Sequence, residues 1–187
     1  MLSKLSPQAG RILISEPFMM DPNFKRSVVL LAEHTEEGTL GYVLNQMSNL
    51  EISDVVSDFA PAHHPVFIGG PVGQDTLHFV HRCYDLLQSG NDLGNGLYWG
   101  GNFETLTILL QNNAIPEDQI RFFLGYSGWG AEQLHDEIEQ NTWIVGNVSN
   151  PDILFNEDME RLWKEVVIDM GPKYAHVSNF PSDPSLN

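Results

Sequence analysis

No wholly apolar run in this chain exceeds five residues: the longest, Val28–Ala32, is closed by Glu33. A membrane-spanning helix needs about 20 apolar residues in a row, so no such span is expected. Short apolar runs punctuated by Gly and Pro predict many short elements, with turns at the breaks. At 187 residues, a chain can bury one sizeable core without metals or disulfides. A single domain is expected over residues 1–179. The stretch 180–187, Phe-Pro-Ser-Asp-Pro-Ser-Leu-Asn, lacks periodicity and is expected to be a flexible tail.

The runs themselves set the element types. Arg11–Ser15 and Ser27–Glu33 read as strands, the second rich enough in Val and Leu to be buried on both faces. Thr35–Gly38 supplies a turn and Thr39–Asn45 the returning strand of a hairpin. Ile52, Val55, Val56 and Phe59 recur at helical spacing, which predicts a helix over Glu51–Phe59. Pro65–Ile68 and Leu77–His81 predict short strands, and Gly94–Gly101 a Gly-rich turn. Phe103–Leu110 predicts a helix begun by Asn102. Ile120–Tyr126 is the clearest central strand. Ser127–Gly130 then reads as a turn into a helix over Ala131–Gln140, and Thr142–Val145 as a further strand. The last helix is expected from Asn156 or Glu157 to Met170, stopped by Gly171-Pro172. Strands and helices are interleaved without a regular βαβ rhythm, so the fold class is α+β, with a mixed sheet and helices packed around it.

Charge limits function. Nine Lys+Arg stand against 25 Asp+Glu, a net charge of -16. Nucleic-acid binding draws on cations that neutralise phosphates, so direct contact with DNA or RNA is not expected, nor is attraction to anionic membranes. Cys83 is the only cysteine. It allows no intrachain disulfide and no thiolate metal cage. Residues 1–8 contain no apolar core of signal-peptide length. Together these features lead to the expectation of a cytoplasmic protein.

Chemistry-bearing patterns are few. Gly125-Tyr-Ser-Gly-Trp-Gly-Ala-Glu-Gln-Leu134 invites an anion or carbonyl pocket, with free backbone N–H groups at a helix start and Trp129 as a wall; the plainer alternative is Ser127 capping the helix. The nucleophile elbow G-x-S-x-G is not met, because Trp129 stands where its second glycine belongs. Neither phosphate-loop nor dinucleotide fingerprint is present, and no cofactor is expected. Gly69-Gly70-Pro71-Val72-Gly73 is a close backbone approach to a ligand or a tight corner. None of the seven histidines forms H-E-x-x-H; His78 and His81 should face opposite sides of a strand, and His63-His64 should be solvated. Metal binding is not expected. Arg26, entering a buried strand, should pair with a carboxylate such as Asp21, or else serve an anion subsite. Arg82 beside Cys83 is a cation able to lower the thiol pKa, against the plainer reading of an inert side chain.

Taken in order, several segments form a recognisable set: Gly10-Arg-Ile-Leu-Ile-Ser15, Asp21-Pro-x-Phe-x-Arg-Ser-Val-Val29, and Glu33-His34-x-x-x-Gly38-x-x-Gly41 ending at Asn45. Gly69-Gly70-Pro71-Val72, Gly125-Tyr-Ser-Gly-Trp129, Gln133-Leu134, Glu137-Ile138, Trp143 and Ile153-Leu154-Phe155 complete it. This set resembles the YqgE/AlgH family over nearly the whole chain. The resemblance implies a small bacterial protein without an assigned activity, some members being labelled transcriptional regulators. It implies a largely antiparallel mixed sheet with a small barrel-like part, surrounded by helices. It also marks Asp21, Arg26, His34, Asn45, Gly69, Gly70, Ser127, Trp129 and Gln133 as the positions where a ligand-binding pocket is expected. With no helix-turn-helix or basic face, regulation would be indirect, through a protein or small ligand. The first expectation is a non-enzymatic binding or regulatory module. Its rival is an enzyme on a small anionic or acyl substrate, using the Ser127–Gly130 turn together with Arg26.

Overall fold

A computed structural model describes residues 5–155 and 158–180. Ten strands form one mixed, largely antiparallel sheet: β1 (Ile12–Ser15), β2 (Val28–Thr35), β3 (Gly38–Val43), β4 (Met47–Glu51), β5 (Pro65–Ile68), β6 (Val72–His81), β7 (Asn91–Gly94), β8 (Leu97–Trp99), β9 (Ile120–Gly130) and β10 (Trp143–Gly146). The helices are α1 (Ile52–Val55), α2 (Tyr84–Leu87), α3 (Phe103–Gln111), α4 (Gln133–Glu139), α5 (Met159–Asp169) and α6 (Pro172–Ala175). The α+β class is thus the observed one.

Strand order is β10-β1-β2-β3-β9-β6-β8-β7, with β5 lying between β4 and β9. The long β9 is the shared strand. Its second half pairs with β3, Gly41 facing Ser127, and its first half pairs in parallel with β5, Phe67 facing Phe123. Along its other edge it pairs with β6. Both Ile12 and Leu13, and both Leu30 and Leu31, are fully buried, as a strand covered on two faces requires.

Three cores follow from strand alternation. One face carries Ile14, Leu30, Tyr42 and Phe123 against Leu162, Trp163 and Val166 of α5. The opposite face of β1, β2, β3 and β10 carries Leu13, Val29, Val43 and Trp143 against Leu134 and Ile138 of α4. Under β5, β6 and β9, Val66, Phe79 and Phe122 pack on Ile52 of α1 and on Leu106 and Leu110 of α3. The Trp163 indole N–H donates to the Ser15 carbonyl (3.0 Å) and fixes α5 to β1.

Four expectations are corrected. The strand path does not close, so the barrel-like part is absent. Its ends, β10 and β7, come near at the Asn95-Gly96 turn, where the Asn95 amide donates to the Val148 carbonyl (3.1 Å). A turn with φ of 53° and 74° has no extended backbone to offer a ladder. The expected helix over Glu51–Phe59 is one turn of α1 followed by a 3-10 turn at Ser57–Phe59. Adjacent β-branched Val55 and Val56 disfavour continuation. The Gly-rich turn at 94–101 is a hairpin, β7–β8. The expected turn at Ser127–Gly130 is strand, because β3 supplies hydrogen-bonding partners as far as Gly130. Asn102 does cap α3, accepting from the Thr105 N–H (2.8 Å).

Phe180, which the sequence assigned to the tail, stacks on Phe18 with ring centroids 5.6 Å apart. Residues 181–187, and the expected helix start at Asn156 or Glu157, lie outside the described residues. No helix among the described residues is long and apolar enough to cross a membrane.

Candidate functional site

Ser127 is fully buried on β9, and its hydroxyl donates to the Gly69 carbonyl (3.0 Å). That carbonyl also accepts from the Val43 N–H (2.8 Å). The proton a nucleophilic serine would yield to a base is therefore committed to an amide oxygen. Gly69 and Gly70 form the same junction. A Cβ on Gly69 would lie 2.4 Å from the Gly125 carbonyl oxygen, and one on Gly70 would lie 2.3 Å from the Tyr126 carbonyl oxygen. Here the two glycines permit backbone against backbone. Ser127 does not cap α4, whose N-cap is Glu132, with no side-chain bond.

Trp129 and Gln133 meet at a residue the candidate set omitted. The Glu137 carboxylate accepts the Trp129 indole N–H (2.9 Å), the Trp143 indole N–H (2.8 Å) and the Gln133 amide (2.9 Å). Gln133 Oε1 in turn accepts the Gly130 N–H (3.1 Å). Phe24 packs against both indoles, 6.2 Å and 5.4 Å between centroids. The two indole bonds hold α4 to β9 and β10, and the Gln133 bond, made within α4, braces the carboxylate.

Arg26 and Asn45 form a separate pair. Arg26 has φ 48°, and Asn45 holds that left-handed kink: its Oδ1 accepts from the Val28 N–H (3.0 Å) and its Nδ2 donates to the Arg26 carbonyl (2.8 Å). The expected ion pair with Asp21 does not form. The kink sends the guanidinium over the Trp163 ring, 5.0 Å away, where it donates to the Phe180 carbonyl. Asp21 is exposed and accepts from the backbone and side-chain amides of Asn23 (2.9 and 3.0 Å). Trp163 belongs to the α5 core, whereas Ser127 pairs across Gly41 on the α4 side. The two halves of the enzyme pocket therefore stand on opposite faces of the sheet.

His34 bonds the Thr39 hydroxyl at 2.6 Å and reaches solvent in an open groove of about 890 Å³. The groove runs between the β2–β3 turn, the start of α4 and residues 5–7. Glu36, Glu132 and His135 join His34 in its walls, with Ile138 and Pro7 as apolar floor. Of the nine candidates only His34 lines it. Glu36 and His135 lie in turn and helix positions that carry no motif, Glu132 lies within the Gly125–Leu134 segment but not among its expected site residues, and only the fold brings the three together.

His64, His81, Cys83 and Arg121 are set into the packing of the fold. His64, expected in solvent, is buried and bonds the Ile115 carbonyl (2.9 Å); its neighbour His63 is exposed and pairs with Glu51 (2.7 Å). His81 is fully buried, sharing its Nε2–H between the Ser89 and Gly100 carbonyls (3.0 and 3.1 Å), and its Nδ1 lies 3.7 Å from Cys83 Sγ. Burial pushes the Cys83 thiol up, opposite to the lowering allowed for beside Arg82, whose guanidinium instead pairs with Asp118 and Asp152. Arg121 on β9 went unmarked in the sequence; it lies over the Phe67 ring (4.3 Å), and burial pushes its pKa down to about 10. No cluster of three or more His, Cys, Asp or Glu side chains suited to a metal occurs among the described residues.

Comparison with known proteins covers the whole fold. A family model described as DUF179, AlgH-like, matches residues 12–175. A UPF0301 protein of Cytophaga hutchinsonii is 43% identical over 179 residues, covering 95% of this chain and 98% of its own. One from Bacteroides fragilis is 44% identical over 187 residues, covering 99% and 94%. The crystal structure of a protein from Corynebacterium diphtheriae superposes with a TM-score of 0.79 at 25% identity, covering 95% of each chain. The solution structure of the AlgH protein from Pseudomonas aeruginosa does so with a TM-score of 0.71 at 29% identity, covering 96% of this chain and 98% of its own.

Proposed function

This chain belongs to the AlgH-like family, and on that premise we propose that it is a non-enzymatic binding module that takes a basic segment of a protein partner in the groove beside α4. The observation that carries the reading is the fate of Ser127, the one serine with a catalytic-looking context: sealed in the core, its proton held by the Gly69 carbonyl. The groove, in contrast, is open and offers Glu36 and Glu132 over an apolar floor. Carboxylates beside apolar surface suit a Lys- or Arg-bearing segment, and a net charge of -16 steers such a partner inward. Regulation of the kind attached to some family members then runs through that partner, not through DNA, which the same charge repels.

Fluorescence anisotropy of a labelled Lys-rich peptide tests this. Saturable binding that weakens with salt is expected, falling about tenfold or more in the Glu36→Lys, Glu132→Lys double variant. A control with the same charge change elsewhere, Asp75→Lys with Glu104→Lys, should bind like the parent. Equal weakening in both would mean that the peptide reads overall charge alone, and the groove assignment would fall. Ser127→Ala should leave binding unchanged.

A further inference from the structure

We propose a second binding site in the crevice at the end of β8, one that takes a neutral planar heterocycle bearing an N–H, of the kind found in nucleosides, stacked on Trp99 and donating to His78 Nδ1. The crevice has a volume of about 410 Å³, inside the roughly 300–1,000 Å³ range of small-ligand sites. It opens where β8 stops. The Gly100 N–H donates to the Phe79 carbonyl (2.9 Å), and Gly100 and Gly101, at φ 68° and 150°, then carry the chain away from β6. Gly90 completes a wall of bare backbone. A Cβ there would lie 2.8 Å from His81 Nε2.

Two side chains give the crevice its chemistry. Trp99 faces Val80 in the register, so it projects from the same side of the sheet as Val80 and His78. Its indole N–H donates to the Tyr42 hydroxyl (2.9 Å), which fixes the plane of the ring. The tautomer of His78 is set by its neighbours. The Thr76 hydroxyl gives its only proton to the Gly73 carbonyl (2.6 Å), so its 2.8 Å contact with His78 Nε2 must be one in which nitrogen donates. Nδ1 is then a bare acceptor. Burial holds the His78 pKa below its ordinary value, which keeps the ring neutral at pH 7.

A neutral acceptor beside a fixed aromatic face suits a flat ring with a donor at its edge. The charge of -16 opposes a phosphate, so the ligand is a base or nucleoside in preference to a nucleotide. The crevice shares no lining residue with the groove beside α4 and is separated from it by β9 and β6, so the two assignments stand or fall separately.

Isothermal titration calorimetry on the full chain, with adenosine and inosine as probes, tests the site. At least one is expected to saturate, and adenosine 5′-monophosphate to bind more weakly than adenosine. N6,N6-dimethyladenosine, which lacks the exocyclic donor, should bind adenosine's site about tenfold more weakly. His78→Phe keeps a ring but removes the acceptor, with about a tenfold loss expected, and Trp99→Leu should cost tenfold or more. Thermal melts establish that each variant folds; if Trp99→Leu does not, His78→Phe decides alone. The site is refuted if neither nucleoside saturates by about 10 mM, a ceiling set by the weakest useful site affinities. It is equally refuted if every variant that folds binds like the parent.

Discussion

Lowering the pH from 6.5 to 5 should destabilise this fold through histidines that it keeps neutral. Burial lowers the pKa of His64 and His81 in the folded chain. The geometry gives the reason. His64 Nε2–H is used by the Ile115 carbonyl, while its Nδ1 is buried with no partner, so a proton there would meet no acceptor. His81 Nδ1 faces the Cys83 sulfur, a weak acceptor. Because the folded pKa lies below the unfolded value near 6.5, the unfolded chain takes up protons first as pH falls. Stability is therefore full above about pH 6.5 and declines below it, until the folded-state pKa is reached. Each such histidine contributes a limiting slope of about 1.4 kcal/mol per pH unit, and the two together about 2.7. At that limit, one pH unit would remove a large fraction of the roughly 5–15 kcal/mol of a typical domain. His78 acts in the same direction. His63 acts in the opposite one: its hydrogen bond to Glu51 raises its pKa, so it adds stability as pH falls through that raised value, and below 6.5 its contribution is constant. Urea unfolding at steps between pH 7.5 and 5 measures the slope. His64→Gln and His81→Gln should each flatten it, by at most about 1.4 kcal/mol per pH unit, whatever they do to absolute stability. A flat profile in the parent, or slopes unchanged in both variants, would refute the reasoning.

Gly69→Ala would press a methyl to 2.4 Å from the Gly125 carbonyl oxygen and 2.9 Å from the Tyr42 ring; overpacking against backbone should cost about 3 kcal/mol or more and lower Tm by roughly 6–12 °C, read by calorimetry. Ser127→Ala leaves the Gly69 carbonyl its bond from Val43, so a loss of only about 1 kcal/mol is expected in urea unfolding.

Much of the scaffold was legible because its periodicities are local. The run Val28–Ala32 and the Thr35–Gly38 turn identified the β2–β3 hairpin, and Asn102 identified the start of α3. The β7–β8 hairpin carried a readable signal as well, Asn95-Gly96 between short runs, but the glycines around it suggested only a turn. The extension of β9 to Gly130 was not legible: Ser-Gly-Trp-Gly is poor strand sequence, and β3, some 90 residues earlier in the chain, decides the matter by pairing. The candidate residues divided in the same way. Gly69, Gly70 and Ser127 do converge, as do Trp129 and Gln133, yet each group holds strands or helix in place. Glu137 was invisible as their common acceptor because nothing local marks a carboxylate that answers two distant indoles.

The position of β9 in the chain also matters while the protein is being made. Strands β3, β5 and β6 all take their partner from residues 120–130, which leave the ribosome after them. At about 5–20 residues per second, the interval between residues 43 and 130 is roughly 4–17 s. The edge of β3 waits for all of it and those of β5 and β6 join it as they emerge, so that from residue 81 onward three strand edges stand unpaired, the condition under which chains join edge to edge. A stop between residues 81 and 120 therefore leaves no smaller working half, only three open edges.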